Sequence, residues 1–273
     1  MSNRPHPAPP IPILVYHQID AAPPKGAPFR SLYVSPAAFS RQMHLLRWLG
    51  YQGLSMAQLQ PYLTGERHGK VVGITFDDGY LNNLIHALPV LQRHGFSSTC
   101  YAVSSLLGQT NRWDAAQGIA QTPLMGADQL RQWVAGGQEV GAHTRSHAHL
   151  SALDPAAAVD EIVGSREALE QLLEQPVRHF CYPYGEFRPE HVAMARQAGY
   201  ETATTTWRGR SAVGCDLLQL RRVPVLRATS LPVLWLKLAT AYEDRKGASA
   251  SAADEKRVNA PAPNQGAAQD ASP

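Results

Sequence analysis

"KVVGITFDDGYLNN", residues 70–83, decides how this chain folds. Val71–Phe76 is short, apolar and rich in β-branched residues, the pattern of a strand buried on both faces. Asp77, Asp78 and Gly79 break it, and from Leu81 to about residue 94 the apolar positions recur at helical spacing. Strand, turn and helix make one βα unit. The unit recurs in both directions along the chain. Strands are expected at 11–16, 71–76, 97–103, 139–142, 178–182, 201–206 and 222–226. Helices are expected near 36–49, 81–94, 127–136, 155–174, 188–198 and 230–241. The helix from 155 is the clearest, with Asp154 as N-cap and Pro155 at its first position. Alternation of this kind means parallel strands joined by helical crossovers, an α/β fold. About seven units in a single domain suggest a barrel, with a doubly wound open sheet as the alternative. In a barrel, chemistry gathers at the C-terminal strand ends, where Asp77 and Asp78 fall.

Composition sets the outer limits. A chain of 273 residues is long enough for one α/β domain with a full core, and its hydrophobic fraction of 44% is that of an ordinary globular protein. A net charge of only +3 makes nucleic acid a poor default partner. Three cysteines, Cys100, Cys181 and Cys215, without C-x-x-C spacing, argue against a disulfide framework and a zinc ribbon. No stretch has the length of a transmembrane span, and the N-terminus lacks the apolar core of a signal peptide. The expected location is therefore the cytoplasm, with export behind a mis-assigned start codon, or membrane-surface association, left open. The expected organisation is a flexible Pro-rich start at 1–10, a catalytic domain at 11–242 and a disordered tail at 243–273.

Three stretches carry candidate chemistry. Adjacent carboxylates at a strand end can serve one cavity if the backbone turns at Gly79, one binding a cation and the other acting as a base. Taken alone, Asp78 reads more readily as a cap for the following helix. In "EVGAHTRSHAHL", residues 139–150, His143 and His147 are four apart and would share one side of a helical turn. Two imidazoles and one aspartate from another strand end leave coordination positions open, as a catalytic divalent ion requires. His149 breaks that spacing and reads as a solvated neighbour. In "FCYPYGEF", residues 180–187, Pro183 and Gly185 fix a tight turn beside Tyr182 and Tyr184. A backbone N–H there can face an oxyanion, although, taken alone, the stretch reads more readily as an ordinary strand-to-helix turn.

Together, and in this order, TFDDG (75–79), HTRSH (143–147) and FCYPYG (180–185) resemble the motifs of the polysaccharide deacetylases, the NodB-homology family or carbohydrate esterase family 4. The resemblance covers roughly residues 10–230. It implies a distorted (β/α)7 barrel and metal-dependent removal of N-acetyl or O-acetyl groups from sugars. It makes Asp78, His143 and His147 the metal ligands and Asp77 the base that deprotonates a metal-bound water. The metal and the Tyr184 N–H would then hold the oxyanion. Zinc suits the ligand set, and Co2+, Ni2+ or Fe2+ would also fit.

Two departures from the family pattern matter. The arginine that usually orients the base is replaced by Cys181, and no histidine follows His191 to protonate the leaving amine. "PILVYHQI", residues 12–19, resembles the first strand of a permuted branch that includes the deacetylases of poly-β-1,6-N-acetylglucosamine. In that branch the acid lies near the N-terminus, which makes His17 the expected general acid, with a capping or packing histidine as the plain alternative. Arg222 matches a position where the branch often carries arginine and is expected either to pair with Asp77 or to sit with the substrate-binding residues. Its plain alternative is a surface salt bridge. Tyr182, Pro183, Tyr184 and Trp207 complete the expected substrate-binding set, although aromatic residues at strand ends are more often core. The expected activity is deacetylation of an N-acetylated sugar or polysaccharide. The alternatives are deacylation of a small or lipid-linked sugar, O-acetyl esters included, and a catalytically silent carbohydrate-binding barrel.

Overall fold

In the computed structural model, which describes residues 8–249, the seven expected strands close into a ring. β1 (Ile13–Tyr16) leads through the short parallel pair β2 (Gln18–Ile19) and β3 (Tyr33–Val34) to α1 (Pro36–Trp48). β4 (Gln52–Leu54) and α2 (Met56–Leu63) follow, then β5 (Val71–Phe76) and α3 (Leu88–His94). The rest alternates: β6 (Thr99–Ala102), α4 (Ala127–Ala135), β7 (Glu139–Ala142), α5 (Pro155–Leu173), β8 (His179–Cys181), α6 (Pro189–Gln197), β9 (Thr202–Arg208), β10 (Leu220–Pro224) and α7 (Leu231–Ala239).

Closure excludes the open sheet. β1 pairs in parallel with both β10, Leu14 against Val223, and β5, Leu14 against Ile74. The ring therefore runs β1-β5-β6-β7-β8-β9-β10 and back to β1. It is distorted where β4 pairs with the start of β5 (Gln52 against Val71) while β6 pairs with its end (Thr75 against Thr99). A second irregularity is the register shift of β10 on β9 between Leu220 and Arg222. Bulges of this kind re-aim a side chain.

Two helices begin where the sequence offers a cap followed by proline. Ser35 accepts the Ala38 N–H at α1, and Asp154 accepts the Ala157 N–H at α5, each followed by proline. The helix expected at 81–94 begins at Leu81 but widens into a π turn at Asn83–Ala87. Pro89 has no N–H to give to the Ile85 carbonyl, so the chain widens by one residue before α3. The main apolar core lies between strands and helices, with Tyr16, Phe39, Phe76 and Trp133 in ring contact.

The outer boundaries differ from expectation. Residues 242–249, assigned from 243 onward to a disordered tail, form a further helix. Its anchor is Glu243, fully buried and paired with Lys237 at 2.6 Å and Arg208 at 2.7 Å. Asp244 pairs with Arg210, also at 2.6 Å. The remainder of the expected tail, 250–273, and residues 1–7 of the expected flexible start lie outside the described residues. Among the described residues no helix is long and apolar enough to cross a membrane.

Candidate active site

At the end of β5 the chain turns sharply. Asp78 (φ 73°) and Gly79 (φ 77°) are both left-handed, and a Cβ on Gly79 would come within 3.4 Å of the Ala102 backbone. This turn lets two consecutive carboxylates point into one site, which a regular strand forbids. Asp78 does not cap the next helix. Its Oδ1 lies 3.4 Å from His143 Nε2 and 3.3 Å from His147 Nε2. Burial opposes its charge, but hydrogen bonds with both imidazoles outweigh it and hold the carboxyl well below its usual range.

His143 follows β7 directly. Its Nδ1 is 2.8 Å from the Cys181 carbonyl, which fixes the ring with Nε2 toward Asp78. His147 does not arrive by a helical turn, as its spacing suggested. Thr144 and His147 are both left-handed (φ 62°), so the 143–147 loop bends twice, and Thr144 Oγ1 takes the His147 N–H. Glu161 of α5 holds the middle of that loop. Its carboxylate accepts the Arg145 and Ser146 N–H groups at 2.8 and 2.9 Å and the Ser146 hydroxyl at 2.6 Å. No sequence signal marked it, because helical spacing says only that residue 161 lies near a helix surface.

Asp77 is buried at the foot of the site. Arg222 Nη1 and Nη2 each donate to one of its oxygens at 2.7 Å. Burial would raise the Asp77 carboxyl, but the Arg222 charge and hydrogen bonds hold it below the usual range. Arg222 is 1% exposed and also donates to the Thr205 carbonyl (2.8 Å) and Thr75 Oγ1 (3.2 Å). Cys181 Sγ lies 3.2 Å from Arg222 Nη2 and 3.7 Å from Asp77 Oδ2. The small side chain at 181 leaves the space that the β10 arginine fills. Arg222 therefore serves Asp77 and does not line the cavity, which corrects its placement among substrate contacts.

The cavity above these residues has a volume of about 290 Å3. His17, Asp77, Asp78, His143, His147, Tyr182 and Tyr184 all line it. His17 is half-buried, and its loop is braced by the fully buried Asn83, which donates to the His17 carbonyl and accepts the Ile19 N–H. Tyr182 is buried and donates its hydroxyl to the Leu218 carbonyl. Tyr184 is left-handed (φ 57°) and meets His147 edge-on, and His149, far from a bare solvated neighbour, stacks flat on it at 3.8 Å. Two expected contacts lie elsewhere. Pro183 is buried in the turn, and Trp207 packs on Phe187 and under Arg221 outside the cavity. The sequence reading missed the far wall, Phe29, Tyr33, Trp113, Asp114 and Ile119, which comes from the two-residue strand β3, a short 3-10 turn and loops without periodic pattern, and Tyr80, whose hydroxyl is pushed up by burial and then by Asp78.

The donor set fits a divalent cation. Asp78, His143 and His147 offer one ligand atom each within 4.8 Å of one another, all buried, beside an open cavity. The polysaccharide deacetylase family model matches residues 64–203, just over half of the chain. The chain belongs to the polysaccharide deacetylase family. This deacetylase is a hydrolase of carbon–nitrogen bonds other than peptide bonds. It is 28% identical over 217 residues to YxkH of Bacillus subtilis, assigned to the polysaccharide deacetylases, a match spanning 79% of this chain and 71% of that one. Its fold is similar to that of the Streptococcus pyogenes deacetylase PplD in complex with acetate, with a TM-score of 0.75 and 25% identity over 86% of this chain and all of that one. IcaB of Ammonifex degensii shares the fold with a TM-score of 0.71 over 84% of this chain and 97% of that one, at 24% identity.

Proposed function

We propose that this deacetylase removes N-acetyl groups from an N-acetylated sugar or polysaccharide, using a divalent cation held by Asp78, His143 and His147. The observation that carries the reading is Asp77. It is a carboxylate kept ionised by Arg222, at the floor of a cavity that also holds the three ligands and His17. When bound, the cation would supply Lewis-acid polarisation of the acetyl carbonyl and a water acidic enough to react near neutral pH.

The side chains account for the protons. Asp77 accepts one proton from the attacking water as its oxygen bonds to the carbonyl carbon. His17 donates one to the amide nitrogen as the C–N bond breaks, so acetic acid and a free amine leave, and the acid gives up its remaining proton to solvent as acetate. Tyr184, bent into the cavity rim, presents its backbone N–H to the oxyanion. Ligation through Nε2 would require His143 and His147 to be neutral. Zinc suits two imidazoles and a carboxylate best, with cobalt, nickel and iron(II) as alternatives.

The cavity itself favours a second reading of the substrate. About 290 Å3 bounded by Phe29, Leu32, Tyr33, Trp113 and Ile119 suits one sugar ring beside an apolar group. A small or lipid-linked sugar, or a chain end, fits that volume better than the middle of a polymer. The deciding experiment measures metal content and zinc affinity of the protein beside a His143→Ala/His147→Ala variant, then acetate release from N-acetylated oligosaccharides. One ion per chain, lost in the variant together with acetate release, supports the reading. No binding after added zinc, Co2+, Ni2+ or Fe2+ overturns it and leaves the silent carbohydrate-binding barrel.

A further inference from the structure

The two imidazoles at the site are anchored by different means. His143 has the Cys181 carbonyl on Nδ1, whereas His147 Nδ1 is buried with no hydrogen-bond partner among the described residues. Two aromatic rings stand in that partner's place. Trp113 stacks on the His147 ring at 4.4 Å with planes 18° apart, and Tyr184 meets it edge-on at 4.5 Å. We infer that Trp113 is a positioning residue that fixes the His147 ring in a slot with Nε2 toward Asp78. The inference rests on the cation site proposed above. An imidazole held by no hydrogen bond keeps its orientation only through shape, and a flat indole against its face resists tilting. The indole face also favours the ring once a cation withdraws charge from it. Trp113 is itself held firmly. The neighbouring Asn111 is fully buried, accepts the Thr122 N–H at 2.6 Å and donates to the Ala120 carbonyl at 3.3 Å, which ties down the loop between β6 and α4.

The test is zinc affinity by competition with a chromophoric chelator, together with tryptophan fluorescence. Trp113→Ala and Trp113→Leu are expected to weaken zinc binding about tenfold or more, the scale of outer-sphere losses at metal sites. Trp113→Phe, which keeps a flat ring, is expected to restore most of it. Wild-type fluorescence should change on adding zinc, and that change should vanish in Trp113→Phe. Wild-type affinity in both Trp113→Ala and Trp113→Leu overturns the inference alone. Absence of zinc binding by the wild type overturns the cation site and the inference together.

An independent feature lies on the outer wall. α1, the 83–94 segment and α7 pack side by side and contain no Asp or Glu. Arg41, His44, Arg47, Arg93 and His94 crowd this face, and among the described residues none of its three arginines has an ion-pair partner. Burial, then the nearby positive groups His44, Arg93 and Arg47, pushes the His94 imidazole down. Three large apolar side chains stand out of the same helices, Trp48 (75% exposed), Ile85 (56%) and Trp235 (47%). A cleft of about 580 Å3 runs between Arg41, Trp48 and Arg93. We propose that this face seats on an anionic phospholipid surface, arginines on the phosphates and tryptophans at the headgroup level.

Flotation with phosphatidylglycerol-containing vesicles, beside pure phosphatidylcholine vesicles, tests it. Binding is expected only to the anionic vesicles. Arg41→Ala/Arg93→Ala should weaken it about 25-fold, at about fivefold per arginine. Trp48→Ala/Trp235→Ala should also weaken it. No binding, binding indifferent to both variant pairs, or tighter binding to a soluble polyanion than to vesicles overturns the proposal, as does a dimer in sedimentation that Trp48→Ala dissolves.

Discussion

Arg222, in the middle of β10 just after its bulge, grips both oxygens of Asp77, at the end of β5, across the barrel interior at 2.7 Å each. The pair joins strands that are not neighbours in the ring, because β1 lies between them. Removing one partner of a buried ion pair leaves an uncompensated charge, which costs more than the pair itself contributes. Arg222→Met is expected to destabilise the protein by about 3–5 kcal/mol. Arg222→Met/Asp77→Asn should recover part of that loss, since no charge is then stranded. Urea denaturation of the four proteins in a double-mutant cycle measures the coupling, and additive losses would show that the two side chains act separately.

Asp77 itself separates an enzyme from a binding barrel. Asp77→Asn removes the proposed proton acceptor and keeps the side-chain volume. Acetate release is expected to fall by about 10²–10⁴-fold, the usual contribution of a positioned base. Binding of an N-acetylated oligosaccharide, followed by calorimetry, should stay within about threefold, because the change removes a proton acceptor and not the cavity walls. Equal acetate release by the two proteins would remove Asp77 from the chemistry.

The opposite end of the barrel carries a pH-dependent contribution to stability. Glu139 opens β7, receives a hydrogen bond from Thr99 and the Ala57 N–H, and lies 3.3 Å from His179 Nε2. Burial would raise its carboxyl, but His179 and these hydrogen bonds hold it below the usual range. A depressed folded value means stability that is present above the unfolded value of about 4.3 and is lost as pH falls through the folded one. Glu139→Gln is therefore expected to be less stable than the wild type at pH 7, with the difference shrinking below about pH 4. Denaturation midpoints between pH 3 and 7 check this. Activity per folded molecule should not change, because the N-terminal rim of a barrel serves stability.

The end of the chain makes a similar point about packing. Glu243 is fully buried between Lys237 and Arg208, so Glu243→Ala strands two cations at once. A loss of about 3–5 kcal/mol is expected in thermal or urea unfolding. Unchanged stability would mean that the 242–249 helix contributes nothing to the fold.

What the sequence disclosed follows from where its signal is local. Val71–Phe76 and Glu139–Ala142 are legible to the residue because buried parallel strands are short apolar runs with turn residues on both sides. β4 escaped because Gln52, Gly53 and Leu54 carry no such pattern, and its pairing with β5 is a tertiary fact. The 242–249 helix escaped because its composition reads as a tail, whereas Glu243 is buried only through partners 6 and 35 positions away in the chain. At the site, Asp77, Asp78, His143 and His147 were legible as types at strand ends. The backbone that brings them together was not, since left-handed turns at Asp78, Thr144 and His147 contradict both strand and helix spacing. Trp113 and Glu161 act through shape and backbone hydrogen bonds, which leave no spacing to read.

His17 yields the most discriminating prediction, because its expected task depends on the leaving group. An amine cannot leave as an anion, so amide hydrolysis needs an acid, whereas a phenolate leaves unaided. His17→Gln keeps the size and one hydrogen-bond donor but cannot deliver a proton. Acetate release from an N-acetylated sugar is expected to fall about 10²–10⁴-fold. Hydrolysis of 4-nitrophenyl acetate at the same site should change by less than about threefold, because under the proposed mechanism that reaction would draw only on Asp77 and the attacking water. Asp77→Asn should depress both reactions, which shows that the ester is cleaved in this cavity and not by an adventitious nucleophile. Equal losses on amide and ester in His17→Gln would instead give His17 a role in holding the site together, through the loop that Asn83 braces.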